Sequence, residues 1–573
     1  SFDTVLPLES HYNDVKNTII NEFGVTDTMF ILLEIDQTSD HPEAVTDVLD
    51  PRVLNYIREL EANLNEADEV VSTSSILSFY GPLLPETIEE AKSSYDSFPD
   101  QKSLMVNPDF TATNLIVSSK ISTRDNAIGE VENLLQSKIA DQGNLPGLKS
   151  ELGGLPPLLR RILNLLIIDN VKTVALAMAL VGVVLLVYYR DYKLTLLSLV
   201  PVTSTLILLT GTMALFDIKI SFSVAAVGAM MVGIGVDYSI HIAHEFIEER
   251  KRKSPNPLRN TMRALGKALF ASSLTTFLAF IVMLSGSTPS TRIQGTVLAL
   301  GIFYSFVTTI IIMPILLHLY SSHLKLDHHN SNGWRHKMLS TISHYQATRP
   351  WSVLIAVFIA TLILLPGITF LRFDTDNSNW IPEGDPVFNS FQKVGDNFGG
   401  TDGISFIITV DQSSPNYNDV RHPDITKGVA RLSGLLKQAD YVNYMNTYTD
   451  ALKTLNDGII PDDEFLIRGQ IESSPQLTSF FNEEYTIARI SAISHNFGTS
   501  EEENDAVLND IRAIIPQANF PPGVHVEPFG DLTRFEETTD VVQQDVGKTT
   551  MLGFVLILIA ATLLYRSFTA GLV

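Results

Sequence analysis

The sequence predicts an α+β membrane protein: a helical transmembrane bundle carrying two acidic α/β segments, the whole internally duplicated. Three observations predict it. First, 45% of the 573 residues are hydrophobic, yet the formal net charge is −24. A single globular domain does not combine these properties, whereas a membrane protein with acidic water-exposed parts does. Second, the acids are segregated: residues 1–168 hold 27 Asp and Glu against 11 Lys and Arg, and residues 374–545 hold 29 against 10. Third, short motifs recur at a constant offset of 375–376 residues.

The first acidic segment, residues 1–168, alternates strand and helix patterns. Thr28–Asp36 (TMFILLEID) reads as a strand, Pro51–Glu66 as an amphipathic helix, Glu69–Ser74 and Asp109–Ser122 as strands, and Arg124–Ala140 as a helix. That succession, β-α-β then β-α, is the pattern of ferredoxin-like units. Leu145–Pro157 (LPGLKSELGGLPP) reads as a break before the membrane. A block of five apolar spans follows within 169–320, at about 171–189, 194–216, 222–246, 266–286 and 294–319, each long enough to cross a bilayer as a helix. Residues 321–349 form a polar linker that includes His328–His329. A sixth span lies within 350–371. The second acidic segment, 372–545, repeats the alternation, with strands at Gly403–Asp411, Tyr485–His495 and Gly523–Pro528 and helices at about 424–438 and 501–514. A seventh span within 546–573 opens a second membrane block.

The repeat ties the two halves together. Pro7 and Phe23-Gly24 match Pro382 and Phe398-Gly399, and Thr26-Asp27 match Thr401-Asp402. Asp169, Lys172, Thr173 and Tyr189-Arg190 match Asp545, Lys548, Thr549 and Tyr565-Arg566, while Gly154 matches Gly530. A duplicated chain is expected to pair its acidic segments about a pseudo-two-fold axis. The basic cluster Arg250–Lys253, with Arg259, Arg263 and Lys267, marks the cytoplasmic side, and Arg190 and Lys193 fall there too. Both acidic segments are then exported.

One stretch carries chemistry. Val227–His244 reads VGAMMVGIGVDYSIHIAH and places Asp237 within an apolar run. A carboxylate at a helix centre costs roughly 2.5–3.5 kcal/mol on insertion scales, so a membrane chain that keeps one generally uses it for a proton, an ion or a counter-ion. At 3.6 residues per turn, Asp237, His241 and His244 share a face. Gly228, Gly233 and Gly235 are expected to let a neighbouring helix approach. Ser272, Ser273, Thr275 and Thr276 on the next span are candidate relay support together with His241, although hydroxyls in helices also bond back to their own carbonyls.

Composition excludes several classes. With no cysteine there is no disulfide, thiolate catalysis or Cys-based metal site. The acidic balance argues against nucleic acid. Gly547-Lys548-Thr549 lacks the first glycine of a phosphate loop, since position 542 is Val542. No catalytic residue, cofactor or metal is expected. The absence of Asn-x-Ser/Thr sequons leans toward a prokaryotic source.

The architecture of one helix, a large exported domain and five more helices, duplicated, resembles the RND (resistance–nodulation–division) superfamily. GIGVDYSIH, Gly233–His241, is similar to the fourth-helix signature of its MMPL and hopanoid-transporter branch. The five spans of 169–320 resemble the sterol-sensing block of Patched and Niemann–Pick C proteins. The resemblance implies that Asp237 and Tyr238 form a proton relay and that the exported domains act as porters for hydrophobic or amphiphilic, lipid-like cargo in the cell membrane. The mouth of the cargo path is expected near Gly154 and Gly530, in the segments Leu145–Ile168 and Gly530–Asp545. The alternatives are a sterol-sensing-like lipid-binding or lipid-transfer protein without proton coupling, and a helper of a protein-export channel. The resemblance also implies a span before Ser1, about four after Val573, and a polar counterpart of Asp237 near position 613.

Overall fold

The computed structural model describes residues 6–7, 10–23, 27–80, 83–96, 105–119, 125–218, 222–321, 334–370, 382, 384–398, 402–411, 417–494 and 501–566. Of the residues singled out above, Gly24, Thr26, His328, His329, Gly399 and Thr401 lie outside these. The chain divides into two compact units, Ser1–Leu166 with Ser287–Ser290 and Asp374–Asp545, and Ile167–Gly286 with Thr291–Phe373 and Val546–Val573.

The first unit holds two four-stranded antiparallel sheets, ordered β2-β3-β1-β4 and β6-β7-β5-β8. In the first, β1 (Asp27–Ile35) lies between β3 (Ala112–Ser119) and β4 (Leu148–Gly153), with β2 (Val70–Ser74) at the edge. In the second, β5 (Asp402–Val410) lies between β7 (Ile487–Ser494) and β8 (Val524–Gly530), with β6 (Tyr444–Asn446) at the edge. Registers coincide under the repeat offset: Ile31 faces Leu115 and Leu152, and Phe406 faces Ile490 and Pro528. The edge strand β4 corrects the reading of Leu145–Pro157 as a plain break. Its Gly and Pro residues sit at the ends of LKSELG, and β1 supplies the pairing that local sequence does not reveal.

The continuous apolar run of β1 is explained by burial on both faces. Met29, Ile31, Leu33 and Ile35 enter the main core with Val53, Leu54, Ile57 and Leu60 of the helix Pro51–Asn65. The opposite face, with Leu32 and the partly buried Phe30, packs against Val394 and Phe398 of the helix Pro386–Phe398, which precedes the other sheet in the chain. The exchange is mutual. The helix His11–Phe23 lies on β8, where Tyr12 stacks on Phe529 with ring centroids 4.7 Å apart. Each exchanged helix is tied at both ends. Glu537 accepts hydrogen bonds from the N–H groups of His11 and Tyr12, at 3.0 and 2.9 Å, where an anion also favours the helix dipole. At the matching place Arg161 donates to Asp385, 2.7 Å away, beside the start of the other helix. Near the C-terminal ends, Asn107 donates to Asn397 (3.1 Å) and Asn482 to Glu22 (2.7 Å).

Seven described helices are long and apolar enough to cross a membrane: Pro156–Tyr189, Tyr192–Leu215, Ser223–Lys251, Pro257–Ser285, Pro289–Tyr320, Pro350–Gly367 and Asp531–Leu564. They are called the first to seventh spans below. Four are close to the expected bounds, and the fourth span begins at Pro257 rather than at about 266. The first and seventh are longer, because Leu155–Tyr189 and Asp531–Tyr565 are unbroken helices of 35 residues each, roughly 52 Å at 1.5 Å per residue. The segments expected to hold the mouth of the cargo path, Leu145–Ile168 and Gly530–Asp545, therefore include the opening turns of these helices, with β4 ahead of the first. The polar linker contains the helix Trp334–Thr348.

Candidate functional site in the third span

Within the helical unit, the third and fifth spans run side by side in the same direction at a fixed stagger of about 70 residues. Met231 meets Gly301, where a Cβ would overlap the Met231 sulfur, and Gly235 meets Ser305, whose Oγ lies 3.1 Å from where a Cβ would stand. Further along, Ile242 and Phe246 pack with Met313 and Leu317, and the Arg250 guanidinium donates to the Ser321 carbonyl. Small residues permit this approach, as is usual for helices in a membrane. Their distribution differs from expectation. Gly235 faces the second and fifth spans, Gly228 faces Val174 and Asn170 of the first, and only Gly233 has nothing within 4 Å. Two of the three glycines therefore serve packing away from Asp237.

Gly233, Asp237, His241 and His244 form the exposed stripe of the third span, so the face predicted from helical spacing is the face observed. Tyr238 points elsewhere. Successive residues are about 100° apart on a helix, and Tyr238 is buried with Leu194, Leu197, Leu269 and Met313. Its side chain interacts with Ser272 of the fourth span. His244 Nδ1 lies 3.3 Å from the Tyr188 hydroxyl.

The other three candidate hydroxyls bond their own helix. Ser273 donates to the Phe270 carbonyl (3.1 Å), Thr275 to those of Ala271 and Ser272 (3.1 and 2.9 Å), and Thr276 to that of Ser272 (2.9 Å). Of the four, Ser272 is thus the one brought to Tyr238. Gly154 and Gly530 lie in the other unit, and local backbone accounts for both. Gly154 has φ +116°, and a Cβ on Gly530 would come within 2.7 Å of the Gly403 carbonyl oxygen.

Sequence reasoning missed a buried hydroxyl ladder on the opposite side of the third span. Ser239, Ser305 and Thr309 are almost wholly buried, and their hydroxyls have no partner among the described residues. Next to them Thr205 and Thr308 pair at 2.8 Å, and Thr308 also donates to the Pro201 carbonyl at 3.2 Å. The available signal was the i,i+4 spacing of Gly235 with Ser239 and of Ser305 with Thr309. Beyond the ladder, Glu249 ties the turn into the fourth span, accepting from Ser254 (2.7 Å) and Asn260 (2.9 Å).

Seven apolar helices, two matched antiparallel sheets and a carboxylate on the exposed stripe of one span define a polytopic membrane protein with a polar centre in its helical unit. The particular family follows from comparison: the profile of the MMPL family matches residues 31–350 and 380–573, and the chain belongs to that family, within the RND superfamily. Among its relatives is the Methanocaldococcus jannaschii protein MJ1562, named only as a membrane protein, 27% identical over 333 residues, which are 56% of this chain and 85% of that one. Another is the Mycobacterium leprae transport protein MmpL10, 23% identical over 269 residues, 44% of this chain and 26% of that one.

Proposed function

We propose that the protein is an exporter of hydrophobic or amphiphilic, lipid-like molecules driven by the proton-motive force, with Asp237 as the proton carrier. The observation that carries this reading is a carboxylate kept on the exposed stripe of an otherwise apolar span, in a chain of the MMPL family with a transport protein among its relatives. Such a group is expensive in a membrane unless it is used. Tyr238 and Ser272 hold the neighbouring hydroxyls, and His241 and His244 extend the stripe by up to two turns toward the end that carries Arg250 and Lys251. A proton taken up at Asp237 removes the charge and lowers the cost of moving that helix face into apolar surroundings.

In this reading the two sheets are the cores of ferredoxin-like porter domains produced by duplication, spanning roughly 1–168 and 372–545. Support comes from their identical strand order, their matching registers and their exchanged helices. In the same reading the end that carries Arg250–Lys267 is cytoplasmic and both porter domains lie outside the cell membrane, supported by the density of Lys and Arg there. Relatives in an archaeon and a bacterium fit a prokaryotic source. Gly154 and Gly530 stay candidates for the mouth of the cargo path.

The test is Asp237→Asn in proteoliposomes loaded with a fluorescent lipid analogue and given a pH gradient. Gradient-dependent movement should fall at least about a hundredfold, the scale on which removing a positioned proton-transfer group acts, with folding unchanged by size exclusion. Unchanged gradient-driven movement would remove proton coupling and favour a passive lipid-binding role.

A further inference from the structure

A furrow of about 390 Å³ runs between the first and second spans, away from the Asp237 stripe. Its walls are two helical faces, Ala179, Gly182, Val183 and Leu186 on one span and Tyr192, Thr195, Leu196 and Leu199 on the other. Both sets follow i, i+3, i+4, i+7 spacing, so each is a single stripe about 10 Å long. The cause of the furrow lies in the sequence: small residues at 179 and 182 leave a trough that the facing leucines do not fill. A Cβ at Gly182 would make ordinary contact with Leu199, 3.6 Å away, so larger side chains there have somewhere to go. The volume lies at the low end of the range for small-molecule sites, roughly 300–1,000 Å³.

The end of the furrow is cationic. Arg190 and Lys193 flank the tight turn that joins the two spans, where Arg190 takes a left-handed backbone with φ +52°. The Arg190 side chain is exposed and makes no ion pair among the described residues, and Lys193 Nζ sits 6.0 Å from the Tyr192 ring centroid, at the furrow's last wall. The adjacent acid, Asp191, is buried and turned into the helix start, where it accepts from the Lys193 N–H at 2.9 Å. An apolar trough within two bilayer-crossing helices, closed at its aqueous end by two cations whose neighbouring carboxylate is engaged, matches an amphiphile with a hydrocarbon chain and an anionic head.

We propose that this furrow is a binding site for an anionic phospholipid, with one acyl chain along Gly182 and Leu196 and the phosphate between Arg190 and Lys193. The orientation proposed above places it in the cytoplasmic leaflet. The site is separate from the Asp237 stripe and does not require that its occupant be transported.

The experiment uses the full chain in lipid nanodiscs. Trp334, Trp351 and Trp380 are replaced by Phe, and Leu196→Trp supplies the reporter, at a wall position that is 64% exposed. Quenching is then read with lipids brominated in the acyl chain. Arg190 and Lys193 near an anionic headgroup contribute about 1 kcal/mol each, so brominated phosphatidylglycerol should reach half-quenching at a mole fraction roughly thirtyfold below that of brominated phosphatidylcholine. Arg190→Gln with Lys193→Gln should equalise the two lipids, and Gly182→Leu should weaken quenching by both.

Equal quenching by the two lipids in the parent protein overturns the proposal, as does an anionic preference that survives the double Gln variant. A tryptophan that neither lipid quenches shows the furrow covered by protein and overturns it too. No transport enters the measurement, so its failure leaves the reading of Asp237 standing.

Discussion

The two sheets of the first unit differ most where they receive each other's helix. On β1 and β4 the incoming helix Pro386–Phe398 makes an apolar seam through Val394 and Phe398, edged by charge: Lys393 Nζ lies 2.8 Å from Glu34 and 3.4 Å from Glu151, and Ser390 donates to Glu151 at 2.7 Å. On β8 the helix His11–Phe23 instead stacks Tyr12 on Phe529 and sets His11 3.6 Å from Glu527, in a pair that is half to three-quarters exposed. The shared features are the backbone register and one polar corner. In both corners an Asn accepts from two consecutive N–H groups (Thr111 and Ala112 for Asn107, Thr486 and Ile487 for Asn482) and hands its amide to the exchanged helix. Backbone donors must be satisfied wherever they are buried, which fixes that corner, whereas a surface seam can trade a salt bridge for a stacked pair at little cost.

The largest expected effect breaks the apolar seam. Phe398→Ala, at a side chain 2% exposed, should destabilise the first sheet by about 3–5 kcal/mol. Tyr12→Ala on the other side should cost less, about 1–2 kcal/mol, since an aromatic pair adds only about 0.5–1.5 kcal/mol beyond its area. Hydrogen exchange at β1 and β8 in the purified full chain separates the two. Equal loss of protection would mean the seams are energetically equivalent despite their chemistry.

A second comparison sets Gly530 against Gly154. A methyl group at Gly530 meets a backbone carbonyl that cannot move without opening β5, whereas Gly154→Ala strains only its own φ. Both should lose stability by about 1–3 kcal/mol, the usual range for disfavoured backbone states. Gly530→Ala should also raise exchange at Gly403 and Ile404, which Gly154→Ala should leave unchanged. If Gly530→Ala keeps full protection but slows cargo movement, the glycine lines a path rather than fitting a sheet.

The smallest effect concerns charge. The hydrogen bond to Glu34, with the attraction of Glu151, holds the Lys393 ammonium above its ordinary pKa despite partial burial. A cation whose folded pKa is raised contributes stability below its unfolded value near 10.4 and loses it as pH rises through the higher folded value. Lys393→Gln should therefore cost about 0–1 kcal/mol at pH 7, less in high salt, and flatten the loss of stability expected above pH ~10.5. An alkaline limb of unchanged steepness would assign it to other groups.

Much of this was legible in the sequence because period and charge report burial directly. The seven spans, the helix Pro51–Asn65 and the exposed stripe of Asp237, His241 and His244 all follow from spacing alone. The missed elements depend on partners distant in the chain. The strand β4 is six residues between glycines and prolines, and only pairing with β1 makes it a strand. The exchanged helices fell in stretches read only as repeat markers, although a β1 apolar on both faces signalled a second covering layer. In the third span the sequence shows that Gly235 and Ser239 share a face, but not that the face meets Ser305 and Thr309. Helical spacing separates Asp237 from Tyr238, but it does not show that Tyr238 is buried with Leu194, Leu197, Leu269 and Met313.

The exchanged helices also order events in time. The contact of Tyr12 with Glu537 joins residues 525 apart, and that of Glu34 with Lys393 joins residues 359 apart. At synthesis rates of roughly 5–20 residues per second, the helix His11–Phe23 waits about 25–100 s for its sheet. For much of that interval the outer face of β1, with Phe30 and Leu32, has been made and its cover has not. The nascent first sheet is thus a half-finished surface during the insertion of six spans, and whatever shelters it must let go when residues 386–398 emerge.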